Sequence, residues 1–175
     1  MRIPRSMLDR IVAQARDEAP NECCGMVASR DGVAVALHPA RNAAASPLRY
    51  EIDGMEQYRI QSAIEDAGLD LGAIYHSHTR SAPLPSQTDI NLAFYPDSLY
   101  VIVGLAGAEP DVRAWEIRDR QVTERSLGAP PAPQPGHTSG AATVIPPRCR
   151  ARPPRRCPRR CATRARRRPR PPPRR

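Results

Sequence analysis

LGAIYHSHTRSAPLPSQTDINLAFYPDSLYVIVGL, residues 71–105, is the stretch that decides the fold. It opens with a short apolar run, 71–76, that reads as a buried strand. It closes with a second and stronger one, 99–105 (LYVIVGL). Between them lie a loop through Pro83 and Pro85 and a short helix from Ser86 to Tyr95, ended by Pro96. Moving outward, 112–118 (VRAWEIR) alternates as a half-buried strand does, and Asp119-Arg120 turns the chain into a last strand at 121–125. On the N-terminal side, 55–67 predicts a helix that clusters Met55, Tyr58, Ile60, Ala63 and Ile64, with Gly68 as its stop. A short strand is expected at 48–52 (LRYEI). The runs 23–29 and 33–37 flank Arg30-Asp31-Gly32, a hairpin signal. Residues 4–19 carry Met7, Leu8, Ile11, Val12 and Ala15 at helical spacing, between Pro4 and Pro20. Helices and strands alternate, so the class is α/β or α+β around one central sheet.

The charge is not spread evenly over the 175 residues, which total +9. Residues 1–128 hold 13 Arg and 18 acids and sum to −5, whereas 129–175 hold 14 Arg and no acid and sum to +14. Of the 21 prolines, 13 fall in that last part, and the chain has no Lys. The division predicts a folded domain over 1–128 and a disordered Pro/Arg-rich tail over 129–175, because ordering the tail would cost chain entropy that no core offsets. Three other readings of the tail stand beside disorder. It could neutralise nucleic-acid phosphates, although it has no aromatic residue to stack on bases. It could also be an artefact, since Arg, Pro and Ala dominate when a GC-rich gene is read in a shifted frame. Cys149, Cys157 and Cys161 could bind zinc, but their spacing contains no C-x-x-C pair. No apolar run is long enough for a membrane span and no signal peptide is visible, so the chain reads as cytoplasmic, with no membrane partner. Oligomeric state is left open.

The chemistry concentrates in the central stretch. His76 and His78 are two apart at a strand end, so both imidazoles face one side. Asp89 follows after a loop that can fold back. Two His and one carboxylate suit a divalent ion, above all zinc, with one position open. Glu22, just before the run CCGMVAS, is the candidate proton acceptor and donor, and Ser86 the candidate donor to an oxyanion. Each residue alone also has a plainer reading. Two histidines can be surface or core residues. Ser86 and Asp89 can simply cap a helix, and Glu22 can be a solvated loop carboxylate. Cys23 and Cys24 read as buried, inert thiols, and His38 and His137 as surface residues.

Taken together, Glu22, His76-Ser77-His78, seven residues, Ser86, two residues and Asp89 resemble the signature E…H-[ST]-H-x7-S-x-x-D of the JAMM (MPN+) metalloprotease family. The resemblance covers about residues 2–126. It implies a cytidine-deaminase-like MPN core, a central mixed sheet flanked by helices, and a zinc peptidase or isopeptidase that cuts amide bonds at the C-terminus of ubiquitin-like proteins. The pieces PNECCGMVAS, RNAAASPLRYEIDGMEQ and AWEIRDRQVTE are similar to a bacterial subgroup, the CysO–cysteine peptidase (Mec) type. That subgroup implies release of cysteine from a ubiquitin-like sulfur-carrier protein in cysteine biosynthesis. By motif position, His76, His78 and Asp89 would bind one Zn2+, Glu22 would be the acid/base, and Ser86 would support the tetrahedral intermediate. Leu84 departs from the aromatic residue expected in that loop, which bears on substrate preference.

Overall fold

The computed structural model describes residues 1–128. The tail, with His137, Cys149, Cys157 and Cys161, lies outside the described residues. One sheet of six strands organises the domain: β1 (Cys24–Arg30), β2 (Val33–Ala40), β3 (Asp70–His78), β4 (Leu99–Gly104), β5 (Asp111–Arg118) and β6 (Gln121–Arg125). Their spatial order is β2-β1-β3-β4-β5-β6. All neighbours are antiparallel except β3 and β4, which makes the sheet mixed. The β1–β2 hairpin turns at Asp31 (φ 50°) and Gly32 (φ 71°), as the Asp-Gly pair predicts. Asp119 and Arg120, also at positive φ, make the second tight turn.

Strand alternation sorts the core onto two faces. Tyr75, Val101, Val103, Val27 and Cys23 face α1 (Arg5–Glu18), whose Ile11 and Ala15 are fully buried against them. Ile74, Tyr100, Ile102, Trp115 and Ile117 form a cluster on the opposite face. There Met26 and Ala28 meet Ile64 of α2 (Gly54–Asp66). His76 and His78 share the parity of Ile74, so the sheet itself presents them on the α2 face.

Parallel pairing of β3 with β4 forces the chain from the end of β3 back to the start of β4. That crossover carries α3 (Gln87–Asn91). Its loop is pinned by Trp115, whose indole N–H donates to the Pro83 carbonyl at 2.8 Å. Gly104 lets the loop approach, since a Cβ there would stand 2.7 Å from Pro83 Cδ.

Three expectations are corrected. Residues 48–52 are not a strand; only a single bridge, Asn42 to Ile52, remains. The Asn42 side chain, rather than a neighbouring strand, takes up the backbone groups there. The helix expected over 86–95 is only Gln87–Asn91, because Tyr95 leaves it to receive hydrogen bonds from Gln57 and Gln61 and to donate its N–H to Tyr100. Those glutamines also explain the turned face of α2. Its inward stripe is Gln57, Ile60, Gln61 and Ile64, while Met55 and Tyr58 are 60% and 65% exposed. Two polar residues with a half-buried hydroxyl to bind disguise the stripe. Asp53 caps this helix, accepting from Met55 and Glu56 at 3.0 and 3.2 Å. No helix among the described residues is long and apolar enough to cross a membrane.

Candidate active site

His76 sits mid-sheet, paired with Cys24 of β1 on one side and Ile102 of β4 on the other. Its side chain is wholly buried, and the Tyr50 ring stacks on it with centroids 4.5 Å apart. His78 ends the strand. Its Nδ1 lies 3.0 Å from the Ala82 carbonyl. A carbonyl only accepts, so Nδ1 carries a proton and Nε2 faces the site. The two Nε2 atoms are 3.1 Å apart.

Asp89 completes the group from the next element. Ser86 Oγ accepts from the Asp89 N–H at 3.2 Å, and Asp89 Oδ2 accepts from the Ser86 N–H at 2.7 Å, a reciprocal cap. This cap aims the carboxylate back at the strand, with Oδ1 3.4 Å from His76 Nε2 and Oδ2 3.5 Å from His78 Nε2. Because Ser86 accepts with its oxygen, its own O–H remains free to donate. The plainer reading of Ser86 and Asp89 as a cap is therefore correct, and both residues also line the pocket.

Glu22 arrives by stitching across the sheet. Cys23 donates its N–H to Ser77 Oγ at 2.9 Å, and Ser77 donates its own to the Cys23 carbonyl at 3.2 Å. The residue between the histidines thus holds the one after the glutamate. Asn42, buried, donates to the Glu22 carbonyl at 2.9 Å and the Arg49 carbonyl at 3.1 Å. It accepts from Ala44 and Glu51 at 3.0 and 3.1 Å. Glu22 is 4% exposed, so it is no solvated loop carboxylate.

The charges follow from this packing. Burial pushes the Glu22 carboxyl up to about 7, with His78 pulling it down and Asp89 adding to the rise. Burial lowers His76 and keeps it neutral, against the pull of Asp89. Burial also disfavours charge on His78, but Asp89, the Ala82 carbonyl and Glu22 outweigh it and hold its proton above the ordinary range. At Asp89, hydrogen bonds from both histidines and Ser86 overcome burial and hold the carboxyl below the usual carboxylate range. Burial pushes Cys23 and Cys24 up to about 12, so both thiols are inert.

Glu22, His78, Ser86 and Asp89 line one pocket of about 360 Å³, walled by Met26, Ile74 and Tyr100. A larger hollow of about 830 Å³, lined by residues such as Gly72 and Pro96, contains none of them. His76, His78 and Asp89 form a group able to hold a metal ion. His38 is half-buried on β2 and outside the site, and Leu84 is 51% exposed and absent from the pocket wall. Sequence reasoning missed Asn42, Tyr50 and Ser77 as supports. Only Ser77 carried a signal, its place between the histidines.

The comparisons with known proteins agree with this geometry. The family described as prokaryotic homologs of the JAB domain matches residues 4–118. A CysO-cysteine peptidase of Mycobacterium tuberculosis is 38% identical over 128 residues, covering 71% of this chain and 88% of that one. A desampylase of Haloferax volcanii is 43% identical over 101 residues, covering 54% and 73%. The solution structure of a Desulfitobacterium hafniense protein superposes with a TM-score of 0.61 at 29% identity, covering 70% of this chain and 88% of that one. The chain belongs to the JAB/MPN family, among its prokaryotic homologs, and is a hydrolase of the JAMM type.

Proposed function

We propose that residues 1–128 are a zinc-dependent peptidase domain that hydrolyses the amide bond at the C-terminus of a ubiquitin-like sulfur-carrier protein and releases cysteine, a step of cysteine biosynthesis in the cytoplasm. The observation that carries this reading is the convergence of His76, His78 and Asp89 beside a buried Glu22 in one pocket. The relative named as a CysO-cysteine peptidase supports the choice of leaving group. The desampylase relative favours a second reading, an isopeptidase that releases an amine of another protein.

The donor set suits zinc. Two imidazole nitrogens and a carboxylate are donors that zinc takes, and one ligand atom from each of His76, His78 and Asp89 lies within 4.8 Å of the others. His76, His78 and Asp89 would hold the ion. Bound zinc supplies Lewis acidity, polarising a carbonyl and lowering the pKa of water to about 7. Glu22 removes the proton from the attacking water and delivers it to the departing amine. The Ser86 hydroxyl donates to the carbonyl oxygen as it becomes negative. Tyr50 and the Ala82 carbonyl keep the two imidazoles oriented, and the apolar wall of the pocket excludes bulk water.

The test is Glu22→Gln on a carrier with cysteine joined to its C-terminus. The variant keeps its zinc by elemental analysis and loses turnover by roughly 10²–10⁴-fold. Undiminished turnover removes Glu22 from the mechanism. A chelator-treated wild type that releases cysteine at the full rate removes the metal.

A further inference from the structure

Among the described residues, Arg5, Arg16, Arg113, Arg118 and Arg125 have carboxylate partners. Arg49 and Arg80 are among the others, which have none; both are exposed, and both line the pocket that holds Glu22, His78 and Asp89. No other arginine lines that pocket. Arg80 lies two positions past His78, and Arg49 adjoins Tyr50, which stacks on His76. Their segments are tied together, since the Thr79 hydroxyl donates to the Pro47 carbonyl at 3.4 Å. Asn42 fixes the Arg49 backbone at 3.1 Å.

We propose that Arg49 and Arg80 form a carboxylate-binding rim that recognises the free α-carboxylate of the released amino acid. This inference rests on the peptidase reading above and narrows it to leaving groups that end at the scissile residue. The chemistry favours a cationic partner there. The carboxylate of a single C-terminal amino acid lies only two bonds beyond the scissile nitrogen, so it enters a pocket that already carries Glu22, Glu51 and Asp89. A further negative charge beside these three carboxylates is favoured by cations placed at the rim to meet it. Two guanidiniums with no other partner, each beginning within two residues of an imidazole or its stacked tyrosine, supply those cations in a form suited to a carboxylate. The pocket, at about 360 Å³, is at the small end of ligand sites, enough for a chain end and one amino acid. A protein amine released from an isopeptide bond brings no such carboxylate.

The experiment uses the zinc-loaded full chain and a ubiquitin-like sulfur-carrier protein bearing C-terminal cysteine, prepared as the free acid and as the carboxamide. The expected result is that wild type prefers the acid about tenfold or more in kcat/KM. In Arg49→Ala, Arg80→Ala and the double variant that acid-to-amide ratio falls toward one. Binding of both adducts to the Glu22→Gln protein, followed by fluorescence polarisation, should show the same preference without turnover. Equal cleavage of acid and amide by wild type overturns the carboxylate rim and leaves the peptidase reading standing. A preference that persists undiminished in the variants overturns the assignment to these arginines; so does a loss that affects both adducts alike, which would mark a general attraction for an acidic carrier. Neither adduct cut nor bound overturns the peptidase reading itself.

Discussion

Replacing Asn42 by Ala removes the five hydrogen bonds by which its side chain organises the segment 42–51 and ties it to Glu22: three donated, to the carbonyls of Glu22, Ser46 and Arg49, and two accepted, from Ala44 and Glu51. Each is worth about 0.5–1.5 kcal/mol net, and a buried group left without a partner costs about 1–3 kcal/mol. Asn42 is 6% exposed, so water replaces little of what is lost. Some structure survives, because Glu22 donates to the Ser46 carbonyl at 2.9 Å and Ala43 to the Glu51 carbonyl at 2.7 Å without help from the side chain. The expected loss is therefore about 3–5 kcal/mol, a large part of the roughly 5–15 kcal/mol of an ordinary domain. Urea unfolding of the metal-free protein measures it, and the melting temperature should fall by roughly 10–20 °C. In the fraction that remains folded, kcat should fall more than KM rises, since the carbonyl released belongs to Glu22. A loss under about 1 kcal/mol would refute the reasoning and assign the loop's order to its backbone contacts alone.

Other outcomes follow from the same geometry. Glu22 has a folded-state carboxyl near 7 against an ordinary value of 4.5. Its contribution favours the metal-free fold below about 4.5 and is lost as pH rises through 7. Glu22→Gln should then be more stable than wild type at pH 8 by about 3 kcal/mol, read by urea unfolding after chelation; equal stability would show that the carboxyl is hydrated. His78 keeps its proton above the ordinary range in the metal-free protein. Zinc bound as proposed would have to displace that proton, so affinity should weaken about tenfold per pH unit below the His78 pKa, with proton release seen by calorimetry in buffers of different ionisation enthalpy. Cys23 and Cys24, near 12, should resist iodoacetamide at pH 8 while folded and label in urea, as peptide mapping by mass spectrometry reports. Trp115→Phe leaves the Pro83 carbonyl without its donor and should cost about 1–3 kcal/mol, again by urea unfolding.

Local chemistry was legible where one residue type has one use. Asp31-Gly32 announced its hairpin, Pro4 and Pro20 bracketed the first helix, and two histidines at strand spacing pointed to one side. The spacing of Ser86 and Asp89 spelled out a cap that the structure contains. What stayed hidden depends on partners distant in sequence. Gln57 and Gln61 lie inward only because Tyr95, more than thirty positions on, puts its hydroxyl between them. Asn42 looks like any loop asparagine until the chain returns past residue 49. Tyr50, in a segment that reads as a strand, stacks on a histidine of β3 instead. Side-chain amides and rings that bond across long separations leave no periodic trace.

The short helix after the loop has a consequence of its own. Five residues are too few to persist as an isolated helix in water, and α3 owes its first turn to the reciprocal bonds of Ser86 and Asp89. The same carboxylate reaches toward the imidazoles. A cation captured there would tether the least self-sufficient element of the domain to its most rigid strand, so that metal uptake doubles as a local folding step. Amide exchange at residues 87–91 would then act as a gauge of occupancy, slow when the ion is in place and fast once it has gone.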